Sequence, residues 1–300
     1  MSFWIMKQDE KEKFLKAGKI AAEVVEYAKT IVKRDAKLLD IAENIEDKIR
    51  ELGGEPAFPV NLSINSIAAH YTPGPDDETL AHGLLKVDLG AHVDGYISDT
   101  AFSVDLDNNK ENLKLIEAAD MTLKEVSKIM KKGVITNDIG KEVLRSMLSH
   151  DCNPIVNLSG HEVDRYDLHA GLTIPNHPDS SIHELGDGVF AVEPFATKGD
   201  GKVRDGNPSG IYLLVDNKNV RSPIAREVLT HVIEEYGSLP FCSRWLVKEF
   251  GGKAILGLNQ LEQNGNLHHF VNLVEVSGAN VSQAEHTFLI DKDEVIVTTK

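Results

Sequence analysis

Five residues stand out because their side chains could hold or move charge inside otherwise apolar surroundings. They are Asp88 and Asp99 in VDLGAHVDGYISDT, Glu193 in GVFAVEPFAT, Glu285 in SQAEHTFLI, and His161 in the loop-rich stretch PIVNLSGHEVDRYDLHAGLTIPNHP. Asp88 and Asp99 flank an Asp94-Gly95 pair. That dipeptide between strand-forming segments predicts a type I′ hairpin, because both central residues need positive φ. With that turn Val93 pairs with Tyr96 and Gly90 falls opposite Asp99. Asp88 then lies on the same face as Asp99 and diagonal to it. Two carboxylates on one apolar face repel unless a cation holds them. Each residue alone has an ordinary structural reading: a turn support, a partner of a buried arginine, a satisfied core histidine. Together they are four hard oxygen ligands and one imidazole, with few Lys or Arg residues in the same strands. That set suits Mn²⁺, Co²⁺, Fe²⁺ or Zn²⁺, and four negative charges are enough for two divalent ions.

The elements that must position these groups follow from periodicity. Phe14, Ala17, Ile20, Ala21, Val24, Val25 and Ala28 repeat with helical period from Gln8 to about Val32. A second helix is expected through Leu38, Leu39, Ile41, Ile45 and Ile49, capped by Asp35 and stopped by Gly53-Gly54. FPVNLSINSIAAHYTPGP, Phe58–Pro75, begins like a strand, carries His70 and ends in turn residues, and the hairpin follows. A long helix over Asn108–Lys132 is closed by Gly133, and Thr136 caps the next. Gly188–Thr197 and Ser282–Ile290 read as strands, the latter turned back at Asp291–Glu294. Ser222, Pro223 and Gly237 bracket a further helix. Short helices are expected around Pro240–Phe250 and Ile255–Gln263. Helix pairs precede strands instead of alternating with them, which predicts an α+β fold with an antiparallel sheet.

Composition narrows the partners. The net charge is −15 and no basic stripe appears in the 300 residues, so nucleic acid is not the expected partner. Apolar content of 41% and charged content of 26% fit a globular chain with a sizeable core. The two cysteines, Cys152 and Cys242, match no metal or redox spacing and fit a reducing compartment. No apolar run approaches the ~20 residues of a membrane helix. The N-terminal MSFWIMKQDE lacks the features of a signal peptide. A cytoplasmic, membrane-free protein is expected.

The chain resembles the type II methionine aminopeptidases of metallopeptidase family M24, in their short archaeal form. The resemblance is carried by VDLGAHVDGYISD, SGH, VEPF and QAEHT, by AAHYTP and LHAG, and by YGSLPFCSRWL at Tyr236–Leu246. It runs over nearly the whole chain. It implies that Asp88, Asp99, His161, Glu193 and Glu285 are metal ligands. The positions matching Asp99 and Glu285 would bridge two ions, with Asp88 on one ion and His161 and Glu193 on the other. It implies catalytic roles for His70, His169 and Glu193. It also implies an apolar methionine pocket from Phe58, Leu168, Phe195 and Phe270. The family's pocket histidine has no counterpart near Ser209–Tyr212, and His82, His92, His177, His183, His268 and His269 gain no role from the comparison. The implied fold is the pita-bread fold, a curved antiparallel sheet flanked by helices in two pseudo-symmetric halves. Residues 1–214 and 271–300 would form the catalytic domain and 215–270 a helical insert.

The activity this implies is hydrolytic removal of the initiator methionine from nascent polypeptides, through a water held between two divalent ions. The ions would be Co, Mn, Fe or Zn. Nascent N-termini, met at the ribosome, are the expected partners, and a monomer is the expected state. Two alternatives are weighed. Xaa-Pro aminopeptidases and prolidases use the same five ligands but usually carry a large extra N-terminal domain. Catalytically silent binding relatives lose ligands and tend to be basic, neither of which holds here.

Overall fold

The hairpin forms as its turn residues dictate. In a computed structural model describing residues 6–300, Asp94 and Gly95 have φ of 52° and 87°. Val93 pairs with Tyr96, and Gly90 with Asp99. The strands Leu84–Val93 and Tyr96–Asp105 run antiparallel for their full length. Met1–Ile5, the start of the N-terminal MSFWIMKQDE, lies outside the described residues.

Two helices cover this hairpin. Helix α1, Gln8–Ile31, and helix α2, Leu38–Glu51, bury the apolar faces set by their period against Val60, Leu62, Leu85, Val87 and Leu89. Asp35 does not cap α2. It takes φ of 65° and donates its N–H to the Ala81 carbonyl, so Lys37 precedes the helix without a side-chain cap. Helices α3, Lys110–Ile129, and α4, Thr136–Ser149, cover the second half in the same way, packing on Phe190, Val192, Ala284, Phe288 and Ile290. Asn109 caps α3. Thr136 is the first residue of α4, and its hydroxyl meets Ser181 instead of an end of the helix.

The second half is antiparallel too. Its order is Glu294–Val297, His286–Asp291, Gly188–Val192, Ser159–Val163 and Thr173–Pro175. The halves join where Ala101 bridges Glu285 and where Thr287 Oγ1 accepts from the Asp99 N–H and donates to the Asp99 carbonyl. The chain therefore has the pita-bread architecture, with helices flanking a curled antiparallel sheet.

Two long strands were not legible from periodicity. Val203–Leu214 pairs with Leu267–Glu275, which pairs in turn with Ile67–Ala69. Register shifts at Pro208 break the alternation in VRDGNPSGIYLL. Between these strands lie α5, Pro223–Glu235, α6, Ser243–Phe250, and α7, Lys253–Gln263. They share a core with Tyr212, Phe241 and Leu267. No helix among the described residues is long and apolar enough to cross a membrane.

Candidate metal centre and peptide cavity

Every residue singled out from the sequence lines one cavity of about 310 Å³. Asp88 and Asp99 come from the hairpin, where the two-residue alternation places both on the inner face. Glu193 and Glu285 sit where strands break, Glu193 between Val192 and Phe195, and Glu285 between Gln283 and His286. His161 is on the strand Ser159–Val163, not in a loop, and its ring faces that of His169 at 4.4 Å between centroids. His70, Phe58, Leu168, Phe195 and Phe270 form other parts of the wall. His70 meets the edge of Phe270 at 5.5 Å. His82, His92, His177, His183, His268 and His269 do not line the cavity.

The electrostatics are those of a cation site. Ligand atoms of Asp99, His161 and Glu285 all lie within 4.8 Å of one another. His161 Nε2 is 3.6 Å from Asp99 Oδ2. Gln283 Nε2 donates to Asp88 Oδ2 at 3.4 Å and to Glu193 Oε2 at 3.2 Å. One oxygen of each aspartate, Asp88 Oδ1 and Asp99 Oδ1, is buried with no hydrogen-bond partner. Lys86 is the buried lysine nearest in sequence; burial holds it well below its ordinary value, and it donates to the Asn65 carbonyl. Burial pushes the Asp88 carboxyl up to about 7. Burial, and then repulsion among the carboxylates, holds Asp99, Glu193 and Glu285 well above the usual range. Buried oxygens left unpaired are costly, and so are like charges held together. Divalent ions remove both penalties, so the donor set fits hard or borderline metal ions.

The histidines are kept neutral. Burial, then the neighbouring His169, lowers His161 to about 3 and His70 to about 4. His169 is lowered by burial as well. A neutral imidazole can ligate a metal or offer one N–H to a developing negative charge.

Four residues were missed in the sequence. Gln283 links Asp88 and Glu193 by donating to both; it ends the strand Val281–Gln283, two residues before Glu285. Thr287 fixes the Asp99 backbone from the neighbouring strand. Ile211 and Pro240, bordering the α5–α7 region, also line the cavity. Nothing in their local sequence marks them.

A model of metallopeptidase family M24 matches residues 12–236. A protein named methionine aminopeptidase from Thermococcus onnurineus is 45% identical over 297 residues, spanning 97% of this chain and 100% of that protein. Among solved structures, a thermophilic Arx1 superposes with a TM-score of 0.84 at 19% identity, covering 98% of this chain and 91% of that one. A methionine aminopeptidase from Thermotoga maritima gives 0.72 at 21% identity, covering 99% of both chains. The prolidase from Pyrococcus furiosus gives 0.61 at 16% identity; 99% of this chain matches 65% of that longer one. At these identities the three structures speak to the fold.

Proposed function

The chain belongs to metallopeptidase family M24, and we infer that it is a metal-dependent aminopeptidase that removes an N-terminal methionine. The observation that carries this reading is the convergence of four carboxylates and one imidazole, with two orphaned carboxylate oxygens, on a cavity walled by Phe58, Leu168, Phe195 and Phe270. Asp88, Asp99, His161, Glu193 and Glu285 would hold two divalent ions, with Co, Mn, Fe and Zn as the candidates. When bound, such ions acidify water and polarise a carbonyl.

The chain's own residues do the rest. The apolar wall takes the unbranched methionine side chain, burying its methylenes and setting its sulfur against aromatic rings, a contact worth about 0.3–1.5 kcal/mol. Glu193, lining the cavity beside the other acidic groups, takes a proton from the attacking water and returns it to the leaving amine. His70 and His169, neutral and facing the same space, offer N–H groups to the oxygen or nitrogen of the scissile bond as charge develops. Gln283 orients the Asp88 and Glu193 carboxylates by donating to both. Residues 215–270 form a helical subdomain over one rim. Nascent polypeptides are the substrates, small second residues are accepted, and the enzyme acts as a cytoplasmic monomer. The likeness to methionine aminopeptidases over essentially the full length of both chains supports this reading over the proline-specific one.

The test is hydrolysis of Met-Ala, Leu-Ala and Ala-Pro peptides by metal-reconstituted protein, with Glu285→Ala as control. Met-Ala should be cleaved fastest and the control should be inactive. Faster cleavage of Ala-Pro would move the protein to the proline-specific branch.

A further inference from the structure

We propose that Arg244 is a positioning residue for His70: its guanidinium, lodged between α2 and α6, fixes the Tyr71–Pro73 segment and so aims the His70 ring into the cavity. The proposal rests on the aminopeptidase reading above. It begins with backbone strain. His70 has φ of 65°, a left-handed conformation that residues with a Cβ seldom take. Such a conformation persists only where the surroundings over-determine it.

The restraint lies just downstream. The Tyr71 carbonyl accepts from the Leu62 N–H at 2.7 Å. Thr72 Oγ1 donates to the Val60 carbonyl at 2.8 Å. Arg244 Nε donates to the Pro73 carbonyl at 3.1 Å, and Nη2 reaches Thr72 Oγ1 at 3.4 Å. Arg244 is itself locked by Glu46 of α2, which accepts from Nη1 at 2.7 Å and from Nη2 at 2.9 Å. The same carboxylate accepts the Val60 N–H at 3.2 Å and the Trp245 indole N–H at 2.8 Å. Both side chains are about 1% exposed.

A buried ion pair is a poor way to gain stability alone, since apolar side chains of the same volume often serve as well. What a planar, five-donor fork gives is direction. Here that direction is spent on the backbone leaving His70, and through Val60 on the backbone leaving Phe58. Sequence-distant α6 thus sets the geometry of a group that lines the cavity.

The test replaces the pair with uncharged side chains of similar length, Glu46→Met with Arg244→Met, and adds the milder Thr72→Val, which leaves the pair intact. Metal content and folding are checked first, and Thr72→Val carries the test if the double variant does not fold. On a Met-Ala peptide the expected result is a fall in kcat of about 10- to 100-fold for the pair, the scale of a displacement near 1 Å, with KM little changed. In a His70→Ala background the same changes should cost almost nothing further, because the group they position is gone. Unchanged kcat in a folded variant, or an equal loss with and without His70, overturns the proposal. A readout independent of turnover is the His70 ring resonance, identified by its disappearance in His70→Ala. A shift in the variants supports the assignment, and coincidence with the parent overturns it. Parent protein that cleaves no methionyl peptide would instead fail the aminopeptidase reading, leaving the resonance test intact.

Discussion

Metal removal should make stability fall as pH rises above neutrality. The Asp88 carboxyl is raised to about 7 from 3.8 by burial, and Asp99, Glu193 and Glu285 are raised well above their ordinary values. For a carboxyl raised on folding, the native state holds a proton that the unfolded state has released. Stability is therefore greatest below the unfolded pKa and is lost as pH climbs through the folded one. At about 1.4 kcal/mol per unit, Asp88 alone forfeits about 4 kcal/mol between pH 4 and pH 7. Histidines act in the opposite sense at acid pH. His70, His92 and His286 are lowered to about 4 and His161 to about 3, each by burial first, so they cost stability as pH falls below about 6.5. Above pH 7 those four are close to neutral in both states. Lys86, held well below its ordinary value by burial, adds a slope of the opposite sign that is the same with and without metal, so the difference between chelated and metal-loaded protein reports the carboxyls. The assay is urea unfolding at pH 7.0, 7.75 and 8.5, with chelator and then with excess Mn²⁺. Chelated protein should lose up to about 1.4 kcal/mol per pH unit for each carboxyl still protonated. Metal-loaded protein should lack that loss and be more stable, by about 2.7 kcal/mol at a hundredfold excess over Kd. Asp88→Asn should reduce the slope of the chelated protein. A chelated protein whose stability does not fall with pH relative to the metal-loaded protein over this range would refute the reasoning.

Other outcomes follow from single contacts. His161→Ala should lose metal by elemental analysis, whereas His70→Ala should keep its metal and lose about 10²- to 10³-fold in kcat, the usual cost of one transition-state donor; loss of metal in the His70 variant would reverse the roles. Gly90→Ala would set a Cβ 2.4 Å from the Phe58 ring. That wall of the methionine pocket must then shift, raising KM for methionyl peptides and costing about 1–3 kcal/mol by denaturant titration. Gly18→Ala would set a Cβ 2.4 Å from the Thr298 carbonyl oxygen. Backbone cannot swing aside as a side chain can, so α1 should separate from the C-terminal segment and Tm should drop without a change in metal content.

Local physics was enough for much of the molecule. Asp94-Gly95 set the hairpin register, because only a turn with two positive φ values joins those strands so tightly, and that register placed Asp88 and Asp99 on one face. The apolar period located α1 to α4 to within a few residues, and Ser222, Pro223 and Gly237 bounded α5. Isolated carboxylates in apolar strands marked Glu193 and Glu285, since such groups are rarely buried without a reason. Partners far apart in sequence were decided by the tertiary structure. Val203–Leu214 and Leu267–Glu275 became strands by pairing with each other across more than fifty residues, despite an interrupted pattern. Asp99 met Glu285 only because two sheets join at Ala101 and Thr287. Arg244 has its buried partner only because α2 supplies Glu46 across 198 positions. Periodicity reports which face of an element is apolar; what that face meets depends on chain-distant packing, and that is where the carboxylates converge and the His70 backbone is held.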